Sequence, residues 1–333
     1  MALLEIEHLS TEFTTDQGTV KAVSDVSLSV DAGEALGIVG ESGSGKSQTM
    51  YTIIGLLAGN GKMTQGTVHF DGEDITPSSF PDKKAYEEKM RSIRGNTMAM
   101  IFQDPMTFLN PIMRIGDQLT EPLLNHTKMT KEQARERALE LMRLVGIPSP
   151  EKRIKQYPFE FSGGMRQRII IAIALTCNPK LIIADEPTTA LDVTIQAQVL
   201  ELIDNLRKTS DSAVIMISHD LGVVAKLCHR IAIMYGGKIV EIGTDREIFY
   251  DPKHPYTIGL LNCIAHPEDD EDAPLTPIPG SPPDLLNPPA GCPFVDRCEK
   301  AMRICKLQKP EYTEFSATHR CACWLQDRRA RHE

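Results

Sequence analysis

Gly40-Glu41-Ser42-Gly43-Ser44-Gly45-Lys46-Ser47 meets the pattern Gly-x-x-x-x-Gly-Lys-Ser/Thr at every fixed position. Directly before it, Ala35-Leu36-Gly37-Ile38-Val39 is a short apolar run of the kind that forms a buried strand. A strand that turns through a glycine-rich loop into a helix restricts the chain to α/β folds. The chemistry of the loop is equally restricted. Its glycines let successive backbone N–H groups turn inward around a phosphate, Lys46 adds a mobile positive charge, and Ser47 offers a hydroxyl to Mg²⁺ while opening a helix whose N-terminus favours anions. Gly40 to Gln48 is therefore read as a binding site for a nucleotide and Mg²⁺.

The chain has 333 residues, 41% hydrophobic and 24% charged, enough for one large α/β domain and a smaller one with a real core. No run approaches the length of apolar sequence that crosses a bilayer, and Met1-Ala2-Leu3-Leu4-Glu5 lacks the basic and apolar regions of a signal peptide. A cytoplasmic location is expected, with any membrane contact made through another protein. A net charge of −9 argues against a large phosphate-neutralising surface, so nucleic acid is not an expected partner.

Short β-type runs fill residues 1 to about 75, among them Leu4-Glu5-Ile6 and Gly66-Thr67-Val68-His69-Phe70, and predict an antiparallel sheet around the loop. Strand candidates follow at Met98–Phe102, Leu181–Ala184, Val214–Ile217 and Ile231–Met234, several of them separated by helical patterns, which predicts a wound, mainly parallel α/β core. A helical insert spans about 104–178. Within it Thr130 can cap a helix from Lys131 to Val145 that places Ala134, Ala138, Leu141, Met142 and Val145 on one packing face. The expected organisation is a nucleotide-binding domain over 1–250, a Pro-rich and acidic linker over 251–290 that includes the run Glu268–Asp272, and a Cys-rich unit over 291–333.

Lys180 to Ala184 is an apolar strand that ends in Asp185 and Glu186. Such a pair suits hydrolysis, Asp185 near the metal and Glu186 beside the γ-phosphate to polarise a water. Phe161-Ser162-Gly163-Gly164-Met165 puts small residues at a helix start, where backbone N–H groups meet an anion. Gln103 ends one strand and His219 follows another; each acquires meaning only from the ordered set.

That ordered set closely resembles the ATPase subunits of ATP-binding cassette (ABC) transporters. The resemblance implies that Phe13 stacks on adenine, Gly40–Ser47 is the Walker A loop, Gln103 the Q-loop glutamine and Phe161–Met165 the signature motif. It likewise makes Asp185 and Glu186 the Walker B pair, Ala190-Leu191-Asp192 the D-loop and His219 the switch histidine. The signature departs from Leu-Ser-Gly-Gly-Gln at its first and last positions, while Ser162, Gly163 and Gly164, which carry the phosphate contact, are intact. In this family two subunits close head to tail over ATP. Glu186, His219 and Gln103 are accordingly the implied catalytic residues, and Ser47, Gln103 and Asp185 the implied Mg²⁺ ligands.

Within the family, Ile101–Thr107 with Leu109-Asn110-Pro111, Asp185–Gln198 and Gly291-Cys292-Pro293-Phe294 onward resemble the D-type subunit of oligopeptide and dipeptide permeases. This implies an F-type ATPase subunit as partner, two membrane-spanning permease subunits, an extracytoplasmic peptide-binding protein acting indirectly, and a place on the cytoplasmic face of the membrane. Nickel importers share the architecture and stand as an alternative; a soluble ABC switch is the other.

Cys177, Cys228 and Cys263 are scattered, and a cytosolic chain keeps thiols reduced, so packing roles are expected for them. Cys292, Cys298, Cys305, Cys321 and Cys323 crowd the C-terminus at spacings that match neither zinc ribbons nor bacterial ferredoxins. The spacing leaves metal and free thiols both open. The resemblance implies a [4Fe–4S] cluster on Cys292, Cys298, Cys305 and Cys323, with Cys321 as a spare ligand and zinc as the alternative metal.

Overall fold

A computed structural model describes residues 2–103, 108–188, 193–263 and 277–329. The expected D-loop at Ala190–Asp192, the segment Asp104–Thr107 and the acidic run Glu268–Asp272 lie outside the described residues. In chain order the strands are β1 (Leu4–Thr15), β2 (Gly18–Val30), β3 (Ala35–Val39), β4 (Gly61–Phe70), β5 (Glu73–Asp74), β6 (Met98–Ile101), β7 (Leu181–Asp185), β8 (Ala213–Ser218), β9 (Arg230–Tyr235), β10 (Lys238–Thr244), β11 (Thr313–Glu314) and β12 (Arg320–Cys321). They are distributed over two compact units. One comprises Val30–Glu34 and Pro77–Met216 with the N-terminal residues through Leu3; the other comprises Leu4–Ser29, Ala35–Thr76 and the described residues from Ile217 onward.

In the first unit β8, β7 and β6 neighbour one another in that order, and β6 pairs parallel with β7 in the register Met98↔Leu181 to Ile101↔Ala184. Both strands are buried along their length, and apolar up to Asp185 at the end of β7, because both faces are covered. The helical insert forms as its pattern predicts. Thr130 closes a capping box with Gln133 at the start of the helix Lys131–Leu144, and Ala134, Ala138, Leu141 and Met142 are its buried stripe. Gly116, in the helix Ile115–His126, is required by close packing, since a Cβ there would stand 2.7 Å from the Ile154 carbonyl oxygen.

The second unit holds an antiparallel sheet of order β2-β1-β4-β5 and the strand series β11-β12-β10-β9-β3. β3 pairs parallel with β9, whereas β9, β10, β12 and β11 are joined antiparallel. β3 is buried throughout. The helix Leu221–Leu227 approaches it over Gly37, where a Cβ would come within 2.1 Å of Val224 Cγ1. That contact brings a helix directly onto the strand that feeds the glycine-rich loop.

The described C-terminal residues are built into this second unit. Buried Glu241 on β10 accepts hydrogen bonds from the backbone N–H groups of Lys253 (2.7 Å) and His254 (2.9 Å) and pairs with His319 Nε2 (2.8 Å). Lys21 N donates to the Leu285 carbonyl at 2.9 Å, and Arg320 reaches the Ser27 carbonyl at 2.9 Å. Among the described residues no helix is long and apolar enough to cross a membrane.

Candidate functional site

The glycine-rich loop belongs to the second unit and follows β3. A Cβ on Gly40 would sit 2.1 Å from the Met234 carbonyl oxygen, so the chain leaves the strand against its neighbour's backbone. Gly43 (φ 77°) and Gly45 (φ 99°) occupy the left-handed region, and Gly43 has open space around it. Gly45 is the N-cap of the helix Lys46–Ile53, and no side chain caps the first turn. Lys46 is buried, with Nζ donating to the carbonyls of Gly40 (2.6 Å) and Glu41 (2.8 Å). This places its charge inside the turn, where a phosphate would be drawn.

The other residues expected at the nucleotide in this unit are Phe13 and His219. Phe13 is half-buried on β1 opposite Gly61 of β4, and a Cβ at Gly61 would lie 2.4 Å from the Phe13 ring. Gly61 therefore makes room for the aromatic. His219 is exposed immediately after β8, before Asp220 caps the helix Leu221–Leu227 by accepting from Gly222 and Val223 N–H.

The first unit carries the acidic part. Asp185 ends β7 and is buried. Glu186 follows with φ 44°, a left-handed conformation that a glutamate adopts only where the surroundings impose it. Gln103 Nε2 donates to Glu186 Oε2 at 2.8 Å, so the structure brings two of the expected catalytic residues together. Ser162 is the N-cap of the helix Gly163–Ala174, accepting from Met165 N–H, and Gly163 is exposed with nothing that an added Cβ would meet. Further along that helix, buried Gln167 donates to the Pro187 carbonyl at 2.7 Å, which ties the signature helix to the residue after Glu186.

The metal centre expected at the C-terminal cysteines is not supported. Among the described residues no group of three or more His, Cys, Asp or Glu side chains is arranged to hold a metal ion. Burial, with added repulsion from Cys323, Cys305 and Cys298, pushes the Cys292 thiol up to about 12, and burial raises Cys298 as well, whereas the hydrogen bond with Cys321 lowers Cys323. Cys292, Cys305, Cys321 and Cys323 are buried and free of disulfides, and the Cys321 and Cys323 thiols hydrogen-bond to each other. Both the [4Fe–4S] and the zinc expectation are withdrawn.

Glu41 is held at three points, which sequence reasoning missed. Its N–H donates to the Tyr256 hydroxyl at 2.9 Å, its carbonyl accepts from Lys46, and its carboxylate is paired with Arg297. Neither Tyr256 nor Arg297 stands in a motif, and each is more than two hundred residues from Glu41 in the chain.

A family model described as ABC transporter matches residues 23–189, and one described as Oligopeptide/dipeptide transporter, C-terminal region, matches residues 240–305. The chain is 53% identical over 331 residues to the dipeptide transport ATP-binding protein DppD of Bacillus subtilis (strain 168), covering 99% of this chain and 96% of that protein. It is 50% identical to the oligopeptide transport ATP-binding protein OppD of Salmonella typhimurium, covering 97% and 93%. Among solved structures, a dimeric post-hydrolysis state of an ATP-binding cassette bound to ADP and Pi is similar with a TM-score of 0.64 at 27% identity, over 73% of this chain and 99% of that one. The expected F-type ATPase partner, and the heterodimer it implied, find no support in these matches, whose full-length relatives are D-type ATP-binding proteins. That expectation is withdrawn too.

Proposed function

The chain belongs to the ABC transporter ATPases, and from that premise we propose that it binds and hydrolyses Mg·ATP to power uptake of dipeptides or oligopeptides through membrane permease subunits. The observation that carries the nucleotide reading is the loop Gly40–Ser47, with Lys46 buried in its turn, Gly43 open and a glycine N-cap on the helix behind it. The peptide reading rests on the C-terminal region matched over 240–305 and on relatives named for dipeptide and oligopeptide transport.

In this reading the backbone N–H groups of the loop and Lys46 hold the phosphates, and Phe13, seated over Gly61, packs on the adenine. Mg²⁺ takes few protein oxygens and completes its shell with phosphates and water, and the Ser47 hydroxyl at the start of the helix behind the loop would hold it. When bound, Mg²⁺ neutralises charge on the β- and γ-phosphates. Glu186 accepts the proton of the attacking water, and Gln103, hydrogen-bonded to its carboxylate, orients it. His219 contacts the γ-phosphate, and Ser162, Gly163 and Gly164 present donors to a nucleotide on a second cassette. The similarity to a dimeric cassette supports that last role.

Peripheral attachment to permease subunits is supported by apolar surface on the first unit. Ile112 is 83% exposed, Phe108 46% and Phe159 70%. A groove of about 550 Å³ beside the helix Ile115–His126 is lined mainly by polar and charged side chains, among them Asp117, Glu121, Lys131 and Arg135, with Met113, Leu124 and Ile154 as its apolar part. The test is ATPase activity of the chain assembled in lipid with its permease subunits, with binding protein loaded with dipeptides, oligopeptides or nickel. Stimulation by peptide is expected; stimulation by nickel alone would refute the substrate class, and failure to assemble would refute the transporter role.

A further inference from the structure

A carboxylate beside a phosphate cradle is electrostatically unfavourable, because it repels the anion that the loop exists to attract. Glu41, the second residue of the glycine-rich loop, is such a carboxylate, and its side chain is 30% exposed. It does not stand alone. Arg297 Nη1 donates to Glu41 Oε2 at 2.6 Å and Nη2 to Oε1 at 3.0 Å, a bidentate fork.

The guanidinium is fully committed to this position. Its side chain is 4% exposed, and the other donors go to the carbonyls of Pro279 (Nε, 2.8 Å) and Ile278 (Nη2, 3.2 Å) and to the Tyr235 hydroxyl (Nη1, 3.2 Å). The five N–H groups of an arginine are thereby all employed. The rings of Tyr235 and Phe294 flank it at 5.7 and 6.0 Å. Tyr256, packed against both rings, holds the N–H of Glu41 through its hydroxyl. Every one of these groups belongs to the second unit, so side chain and main chain of Glu41 are fixed by C-terminal residues of the same compact body.

We propose that Arg297 is a positioning residue of the nucleotide site: it cancels the Glu41 charge at the mouth of the loop and fixes the loop's entry, making affinity for the nucleoside triphosphate depend on the C-terminal region. The proposal rests on the reading of Gly40–Ser47 as the ATP site. Its physical content is a repulsion that an arginine removes, so loss of the arginine is harmful only while the carboxylate remains. A Lys at 297 keeps the charge and loses the fork, and is intermediate.

The test is Mg·ATP and Mg·ADP affinity of the full chain, together with KM and kcat for ATP, for wild type, R297M, R297K, E41Q and the R297M/E41Q pair. R297M is expected to weaken Mg·ATP at least tenfold and Mg·ADP less, raising KM far more than it lowers kcat. The R297M/E41Q pair is expected to bind Mg·ATP within threefold of E41Q alone, so that the effect of losing the arginine vanishes with the carboxylate, and R297K is expected to fall between wild type and R297M. A general packing role would weaken binding as much in the E41Q background as in wild type, so a double variant tenfold or more weaker than E41Q overturns the proposal, as does R297M binding like wild type. Should R297M not fold, R297K with and without E41Q decides by the same comparison. If wild type itself fails to bind Mg·ATP, the nucleotide-site reading is overturned, which is distinct from wild-type binding that R297M leaves intact.

Discussion

Lowering the pH from 7.5 to 5.5 should remove about 1.4 kcal/mol of folding stability through one side chain, His254. This imidazole is 1% exposed, and its Nδ1 accepts the Tyr256 N–H at 3.0 Å as the N-cap of the helix Pro255–Asn262. Burial alone pushes its pKa down from 6.5 to about 3. The folded chain keeps the ring neutral while the unfolded chain protonates it, so the contribution is fully present above 6.5 and is lost as pH falls toward 3. At pH 5.5 an unfolded imidazole is about ten-elevenths protonated, and RT ln 11 gives the magnitude stated, roughly 1.4 kcal/mol. Glu247, held down to about 2 with hydrogen bonds from Ser316, Thr244 and Thr318 outweighing its burial, adds its loss only as pH falls through 4.5 toward 2. The assay is urea unfolding at pH 7.5 and 5.5 on wild type and on H254N, whose amide oxygen can still cap the helix. The variant should lose about 1.4 kcal/mol of the difference between the two pH values, whatever its absolute stability. An unchanged difference would refute the assignment of the acid-sensitive contribution to this ring.

Glu186→Gln should retain Mg·ATP affinity and lower kcat by about 10²–10⁴-fold, the range for loss of a general base; turnover near wild type in a quench assay would remove Glu186 from that role. Gly61→Ala drives a Cβ into the Phe13 ring, and loss of the aromatic contact should raise KM for ATP by about 2- to 12-fold while sparing kcat. Equal KM values would mean that Phe13 does not meet the base. Gly45→Ala adds a Cβ 2.5 Å from the Ala22 carbonyl oxygen at a φ of 99°, a conformation costing about 1–2 kcal/mol before the clash; ATP affinity should fall more than tenfold, read by calorimetry.

The loop, the strand ends and the capped helix Lys131–Leu144 were legible because their signals are local: fixed glycines, apolar runs and a threonine three residues before its capping partner. The extent of β1 was less legible than its start at Leu4–Ile6, since the strand to Thr15 carries register shifts between Glu7 and Thr11, with His8 at φ 52°, which break the two-residue alternation. The Arg297 clamp has no local signature, as its partners are 256 residues apart. At the cysteines it was the resemblance that misled: their spacing left metal and free thiols both open, since it carries nothing of how the sulfurs are arranged in space.

β10 obtains its outer neighbour from β12, whose residues are made well after its own. Until Arg320 and Cys321 leave the ribosome, the backbone of Glu241 and Ile242 lacks the partner to which it pairs in the finished chain. A nascent subunit is thus exposed to strand exchange with its siblings while the segment between β10 and β12 is being made. Arg320 and Cys321 act as a timed seal, and production of the protein should be more sensitive to premature stops before them than their small contribution to the core would suggest.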